Sequence, residues 1–311
     1  MTRACDSVTA RAPGKVNIQL AVGAVRDDGY HPLASIFHAV GLSEEVTVRA
    51  GDPGTGIVID EVSGPQADEV PRDGTNLVWR AAQRLADELG RPAPDVGISI
   101  AKGVPVAGGM AGGSADCAAA LVALNELWGA PLDRDELAGV GLDLGSDVPF
   151  SLLGGTALGL GRGERLSPIP VRGTFHWVFA TAPQGLSTPV VYGTFDRLVE
   201  GRVVPEPTAD EAVVSALVTG DATALGRALH NDLQEPALSL RPTLRDVLDA
   251  GLGAGALGGM VSGSGPTTAF LAADQASAAG IATVLAGLAE VRSTHVTTGP
   301  APGARVVARD G

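Results

Sequence analysis

Along the chain the apolar positions switch between two periods. From Ala10 to Val25 (ARAPGKVNIQLAVGAV) they alternate at Val16, Ile18 and Leu20, the two-residue period of a half-buried strand. RDDGYHPL, residues 26–33, is turn-rich, and SIFHAVGL then leads into EEVTVRA, a further predicted strand. Residues 52–56 and 63–74 read as surface loops. Asn76 opens a predicted helix, NLVWRAAQRLADELG, with Leu77, Ala81, Leu85 and Leu89 on one face and Gly90 as its stop. A short strand, GISIA (97–101), precedes a glycine-rich loop and a helix ending near Trp128. A helix from Arg134 to about Val140 then runs into LGSDVPF.

The second half opens with GGTALGLGRGERLSPI, a predicted strand, turn and strand, and HWVFATA (176–182) has the apolar run of a buried strand. From Pro189 the period becomes helical, with helices around 210–218, 223–229 and 242–250. A closing strand–helix–strand starts at Gly258, with TTAFLAA and ARVVAR as its strands. Strands and helices mixed without strict alternation predict an α+β fold. Glycine is dense at 155–170, so the expected division is 1–160 and 161–311.

Composition narrows the class. The 311 residues are 45% hydrophobic and 18% charged, which excludes a disordered chain and allows two domains, each with its own core. A net charge of −13 argues against a general nucleic-acid binder, although a local pocket can still be positive. The two cysteines, Cys5 and Cys117, form no CxxC pair, as expected in a reducing compartment. MTRACDSVTARAPGK has no apolar leader pattern. Residues 251–273 are uncharged and long enough to cross a membrane. Their glycines, Ser262, Ser264 and Pro266 fit a soluble segment better. The expected setting is cytoplasmic, with no membrane partner.

Only two of the 22 basic residues are lysines, Lys15 and Lys102. A compact ammonium fits where a forked guanidinium does not, so both positions draw attention.

Candidate chemistry concentrates in VPVAGGMAGGSADCAAALVALNELWG, residues 104–129. Gly108, Gly109, Gly112 and Gly113 let the backbone approach a ligand, and Ser114 stands at the turn into a helix. Free amides and the helix dipole there favour phosphate. The loop is neither a Walker A nor a Rossmann fingerprint, and the same glycines would equally let a helix pack closely on a sheet. Gly253, Gly255 and Gly258 spell GxGxxG, but a helical segment precedes them where a Rossmann site needs a strand. No GxSxG, HExxH or Cys/His pairing supports a hydrolase.

Two further clusters belong with the loop. APGKVN places Lys15 and Asn17 on one strand face, and VSGSGPTTAF (261–270) supplies a small-residue turn before a strand. Together APGKVN, PVAGGMAGGSAD and SGSGPT resemble, in order and spacing over nearly the whole chain, the signature set of the GHMP kinases. That resemblance implies a ribosomal-protein-S5-like N-terminal domain, a ferredoxin-like C-terminal domain and ATP-dependent phosphorylation of a small alcohol. APGKVNIQL, RDDGYHPLASIF, LGSDVPF and TPVVY resemble one branch in particular. Its acceptor is a cytidyl-diphosphate sugar alcohol of non-mevalonate isoprenoid biosynthesis.

Residue roles follow from the resemblance. It implies Lys15 and Asp147 as the catalytic pair and Asn17, Tyr30, His31, Tyr192 and Ser264 at the acceptor, with the tyrosines stacking on the pyrimidine. It implies Asn76, Lys102, Pro105, Gly108, Gly109, Met110, Ala111, Gly112, Gly113 and Ser114 around ATP, with Mg²⁺ expected but its ligands unspecified. The residues alone also allow Asp147 to be a helix cap and Lys102 to be a solvated strand-end cation. Lone aromatics such as Trp79, Trp128 and Trp177 read as core, and His38, His176, His230 and His295 receive no role. Ala115 and Asp116 depart from the family pattern, which commonly has Ser and Asn there, and Met110-Ala111 replaces the commoner Leu-Gly. A GHMP kinase for a different alcohol, or a non-catalytic relative, are the rival readings. The Tyr30, His31 and Tyr192 set argues against the first, and the Lys15–Asp147 pair against the second.

Overall fold

In the computed structural model the described residues are 6–92, 94–106 and 108–310. Twelve strands run in chain order as β1 (Ser7–Val22), β2 (Leu33–Ala50), β3 (Ile57–Ser63), β4 (Val96–Ala101), β5 (Thr156–Gly161), β6 (Arg165–Pro168), β7 (Phe175–Thr181), β8 (His230–Asn231), β9 (Gly258–Val261), β10 (Thr268–Ala272), β11 (Ser293–Gly299) and β12 (Arg305–Asp310). The helices are α1 (Leu77–Glu88), α2 (Gly112–Leu127), α3 (Arg134–Leu142), α4 (Val148–Leu153), α5 (Thr188–Val199), α6 (Glu211–Thr219), α7 (Ala222–Ala228), α8 (Gln234–Leu240), α9 (Thr243–Gly253) and α10 (Gln275–Ala286).

An eight-stranded sheet is built on the path β12-β1-β2-β4-β3, with β5 paired to β2, β6 to β5 and β8 to β1. An antiparallel four-stranded sheet has the order β11-β7-β10-β9. The α+β expectation holds. Helix α2 lies against the first sheet with Ala115, Ala118, Ala119 and Ala120 fully buried, and its small side chains allow close approach on nearly every side. Helix α1 packs beside it through Val78, Ala81, Ala82 and Leu85. Val16, Ile18 and Ile36 of the first sheet share a core with Phe175, Trp177 and Phe179 of the second, so the sheets meet across one apolar layer.

Several elements differ from expectation. β2 is one strand of eighteen residues, although Glu44 and Glu45 interrupt its apolar pattern. β3, α4 and β11 had no predicted counterpart. The Thr294, Thr297 and Thr298 side chains of β11 blur its alternation, while its backbone completes the ladder with β7. Trp177 is fully buried, and Trp79 and Trp128 pack against the first core. Cys117 is buried as a free thiol, and Cys5 lies outside the described residues. Residues 251–273 form the end of α9, a turn, β9, a second turn and β10. No helix among the described residues is long and apolar enough to cross a membrane.

Candidate active site

A cavity of about 840 Å³ opens where β1, the glycine loop, the start of α4, α5 and the turn between β9 and β10 converge. From β1 come Lys15 and Asn17. Register shifts against β2, between Pro13 and Gly14 and between Asn17 and Gln19, bracket this stretch, and such irregularities re-aim side chains. Lys15 Nζ donates to Asn17 Oδ1 at 2.6 Å and to the Gly109 carbonyl at 3.0 Å, and lies 3.8 Å from Asp147 Oδ2. Asn17 Nδ2 donates to Ser35 Oγ at 2.7 Å, which locks its amide. Burial holds the Lys15 ammonium below the usual lysine range, and the Asp147 carboxylate opposes that shift.

Asp147 stands immediately before α4, yet its side chain makes no capping hydrogen bond, and 29% of that side chain remains exposed. The carboxylate faces the cavity and Lys15 instead.

Backbone geometry sets the loop. Gly109 has φ 69°, and a Cβ there would drive into the Ser262 carbonyl of the β9–β10 turn. The Lys15 amide donates to the Met110 carbonyl at 3.1 Å, and the Met110 side chain is fully buried. Ala111 takes the left-handed conformation, φ 59°, which a residue other than glycine seldom adopts. Helix α2 then begins with no side-chain cap from Ala111, and among the described residues no side chain is hydrogen-bonded to the first-turn amides of Gly112, Gly113 and Ser114. Such an end attracts anions.

The opposite wall is made of side chains. His31 donates from Nδ1 to the Gly23 carbonyl at 2.8 Å, because a carbonyl only accepts. Its Nε2 lies 3.4 Å from Asp196 Oδ1, and its ring centroid is 5.1 Å from that of Tyr192. Burial, with the Asp147 carboxylate adding to it, pushes the Tyr192 phenol up to about 12. Tyr30 sits half exposed at the rim under the Arg162 guanidinium. Ser264 Oγ and Thr188 Oγ1 share a hydrogen bond of 2.9 Å, and the Asn231 amide holds the turn by donating to the Val261 and Gly263 carbonyls.

Of the residues singled out from sequence, Lys15, Asn17, Tyr30, His31, Gly109, Ala111, Asp147, Tyr192 and Ser264 line this cavity. Gly112, Gly113 and Ser114 follow as the first turn of α2. Pro105 and Gly108 are buried within the loop. Asn76 caps α1, accepting from the Val78 amide at 2.8 Å and donating to the Pro71 carbonyl at 2.7 Å. Lys102 is buried between Glu44, at 2.7 Å, and Asp116. Burial alone would lower its pKa, but the two carboxylates outweigh that and raise it. Burial and their mutual repulsion push Glu44 up to about 7, while burial raises Asp116 to about 6. Asp116, foreseen only as an irregularity, is thus part of a charged cluster sealed behind the loop.

Asp196, Thr188 and Arg162 also line the cavity; Thr188 belongs to the TPVVY motif but was given no role, and Asp196 and Arg162 were not foreseen. Asp196 follows Tyr192 by four residues, one helical turn, so it could have been read from the tyrosine. Glu44 gave no local signal, since its charged neighbours lie just after β4 and on α2.

Known proteins share this architecture. Residues 76–155 match the GHMP kinases N terminal domain model, and residues 213–288 match the GHMP kinases C terminal model. A Streptomyces coelicolor protein named 4-diphosphocytidyl-2-C-methyl-D-erythritol kinase is 57% identical over 301 residues, covering 97% of this chain and 99% of its own. A Rhodococcus jostii protein of the same name is 55% identical, covering 96% and 95%. A solved 4-(cytidine 5'-diphospho)-2C-methyl-D-erythritol kinase is 32% identical with a TM-score of 0.74, covering 93% of this chain and 98% of its own. An L. major mevalonate kinase solved in complex with R-mevalonate has a TM-score of 0.75 at 17% identity, covering 97% and 98%, a likeness of fold alone.

Proposed function

Since this chain belongs to the GHMP kinases, within their 4-diphosphocytidyl-2-C-methyl-D-erythritol kinase branch, we propose that it transfers the γ-phosphoryl group of ATP to the 2-hydroxyl of 4-diphosphocytidyl-2-C-methyl-D-erythritol. The observation that carries this reading is the Lys15–Asp147 pair, 3.8 Å apart, in a cavity that also has an aromatic wall.

Phosphoryl transfer demands alignment, charge stabilisation and an acceptor for the hydroxyl proton. In our reading Asp147 orients the acceptor hydroxyl and takes its proton as the new P–O bond forms and ADP leaves. Lys15 keeps Asp147 ionised and offsets charge on the phosphoryl group in flight. Asn17, fixed by Lys15 and Ser35, holds the acceptor from the same face. The free amides of Gly112, Gly113 and Ser114, with the loop from Pro105 and Gly108 to Ala111, receive the ATP phosphates. Tyr30, His31, Tyr192 and Ser264 receive the cytidine end. Asn76 and Lys102 act from behind, Asn76 by fixing the start of α1 and Lys102 by fixing the strand that enters the loop.

Mg²⁺ fits this chain only as a companion of ATP. Among the described residues no three His, Cys, Asp or Glu side chains gather as a metal cage, and Asp116 is bonded to Lys102. A Mg²⁺ ion held chiefly by phosphates and water has no need of such a cage. We assign the enzyme to the cytoplasm, where ATP is supplied and a free thiol such as Cys117 is stable.

The test is ADP release by purified protein with ATP, Mg²⁺ and the cytidyl acceptor, beside mevalonate, homoserine, galactose and a no-acceptor control. Turnover with the cytidyl acceptor alone is expected. Equal turnover with another alcohol, or none with any, overturns the proposal.

A further inference from the structure

We propose that Arg162 binds the diphosphate of the acceptor and so helps to select a nucleoside diphosphate ester over a simple alcohol. This rests on the function proposed above and adds a residue that the sequence motifs did not single out.

Arg162 sits at the tip of the β5–β6 hairpin, between Gly161 (φ 79°) and Gly163 (φ 101°), with its amide donating to the Glu164 carboxylate at 2.5 Å. The turn is therefore fixed by its backbone, and the side chain projects to the cavity wall. Its guanidinium carbon lies 3.5 Å from the centroid of the Tyr30 ring, which is van der Waals contact. At that distance the guanidinium lies over the ring face, and its N–H edge stays available for hydrogen bonds. It pairs with Asp28, with Nη2 and Oδ2 3.6 Å apart, beyond hydrogen-bond reach. Both side chains are about half exposed, so this pair is weak and screened.

Charge bookkeeping at the cavity then singles out this group. The lysine and arginine side chains lining it are Lys15 and Arg162, and the carboxylates are Asp147 and Asp196. Lys15 is buried and engaged with Asn17, Gly109 and Asp147. An acceptor with a diphosphate between its pyrimidine and its sugar alcohol brings further negative charge into a protein of net charge −13. A guanidinium fork with a free edge, already seated on an aromatic ring, suits that group, since forked donors match phosphate oxygens. The same stack would draw Tyr30 and the diphosphate together, placing the base beside the ring that recognises it.

The test uses full-length wild type, Arg162→Ala and Arg162→Lys, with steady-state kinetics and calorimetry using CDP and cytidine as probes. Arg162→Ala is expected to raise the acceptor KM about tenfold, with kcat within threefold and the ATP KM unchanged. CDP affinity should fall about tenfold and cytidine affinity stay within twofold. Arg162→Lys should recover part of the loss because the charge is kept. Three results overturn the proposal: unchanged acceptor KM and CDP affinity, equal losses for CDP and cytidine, or a rise confined to the ATP KM. Equal losses would mean that Arg162 only props Tyr30, and an effect on ATP alone that it serves the donor. Failure of the wild type to use any cytidyl acceptor would instead sink the activity proposed above, and CDP binding would still report on the arginine.

Discussion

The two ends of the cavity are made from different parts of the polypeptide. At the glycine-loop end the contacts offered are backbone amides, fixed by positive φ at Gly109 and Ala111 and by close approach to the Ser262 turn. At the tyrosine end they are side chains: Tyr30, His31, Tyr192, Arg162 and Asp196, carried by a loop, a hairpin and a helix. Backbone recognition suits a phosphate donor common to many enzymes, because amides need no particular side chain. Side-chain recognition suits an acceptor that differs from one kinase to the next. A mevalonate kinase shares the fold at 17% identity, and a shared fold does not imply shared acceptor contacts.

The comparison is tested hardest where the two ends meet. Asp147→Asn keeps the shape but removes the proton acceptor, and kcat should fall by about 10²- to 10⁴-fold with ATP affinity within threefold. Normal turnover in that variant would remove Asp147 from the chemistry. The neighbouring lysine adds a pH signature. The proposed mechanism needs Lys15 charged; its pKa is lowered chiefly by burial, and Asp147 opposes that shift. Wild-type kcat should therefore decline with rising pH below the ordinary lysine value of about 10.4, and the residual activity of Asp147→Asn should decline at lower pH still. A decline that does not move would separate the lysine from Asp147.

At the backbone end, Gly109→Ala strains a positive φ and pushes a methyl group into the Ser262 carbonyl. The ATP KM should rise about tenfold and Tm should fall by several degrees, while cytidine binding stays within twofold. Equal damage to both ligands would show that the ends are not separable. At the side-chain end, Tyr30→Ala should give the opposite split. The expected change is about a tenfold rise in acceptor KM, consistent with losing ~1–2 kcal/mol of stacking, with the ATP KM unchanged. A change in the ATP KM of the same size would make Tyr30 structural.

The smallest effect is expected behind the loop. Glu44 and Asp116 have raised folded-state pKa values, so between the ordinary carboxyl range and about pH 7 the native state holds more protons than the unfolded chain. Stability should decline as pH rises through that window. Glu44→Gln should flatten the plot of Tm against pH there. An unchanged slope would mean that the cluster does not titrate as a unit.

Some of this molecule was legible residue by residue. The four-residue spacing of Leu77, Ala81 and Leu85 specified α1 because a helix brings residues at that interval onto one face. The alternation around Lys15 correctly put Asn17 beside it, and the hydrogen bond between them follows from that pairing. β11 was hidden because its threonines blur the apolar alternation while its backbone still pairs with β7. Arg162 was equally silent. A Gly-Arg-Gly turn names a flexible hairpin, and only the position of Tyr30 makes it a wall of a site.

Local pattern thus determined most of the helices and strands and the three small-residue motifs, because each depends on residues within a few positions of one another, and the order of those motifs along the chain carried the family resemblance. Tertiary structure decided how those motifs close on one cavity. It set Glu44 against Lys102 and Asp116, paired β12 with β1 across nearly the full length of the chain, and gave Tyr30 its cationic lid. Those pairings join residues far apart in sequence, and their energies depend on burial and distance, which exist only once the chain has folded.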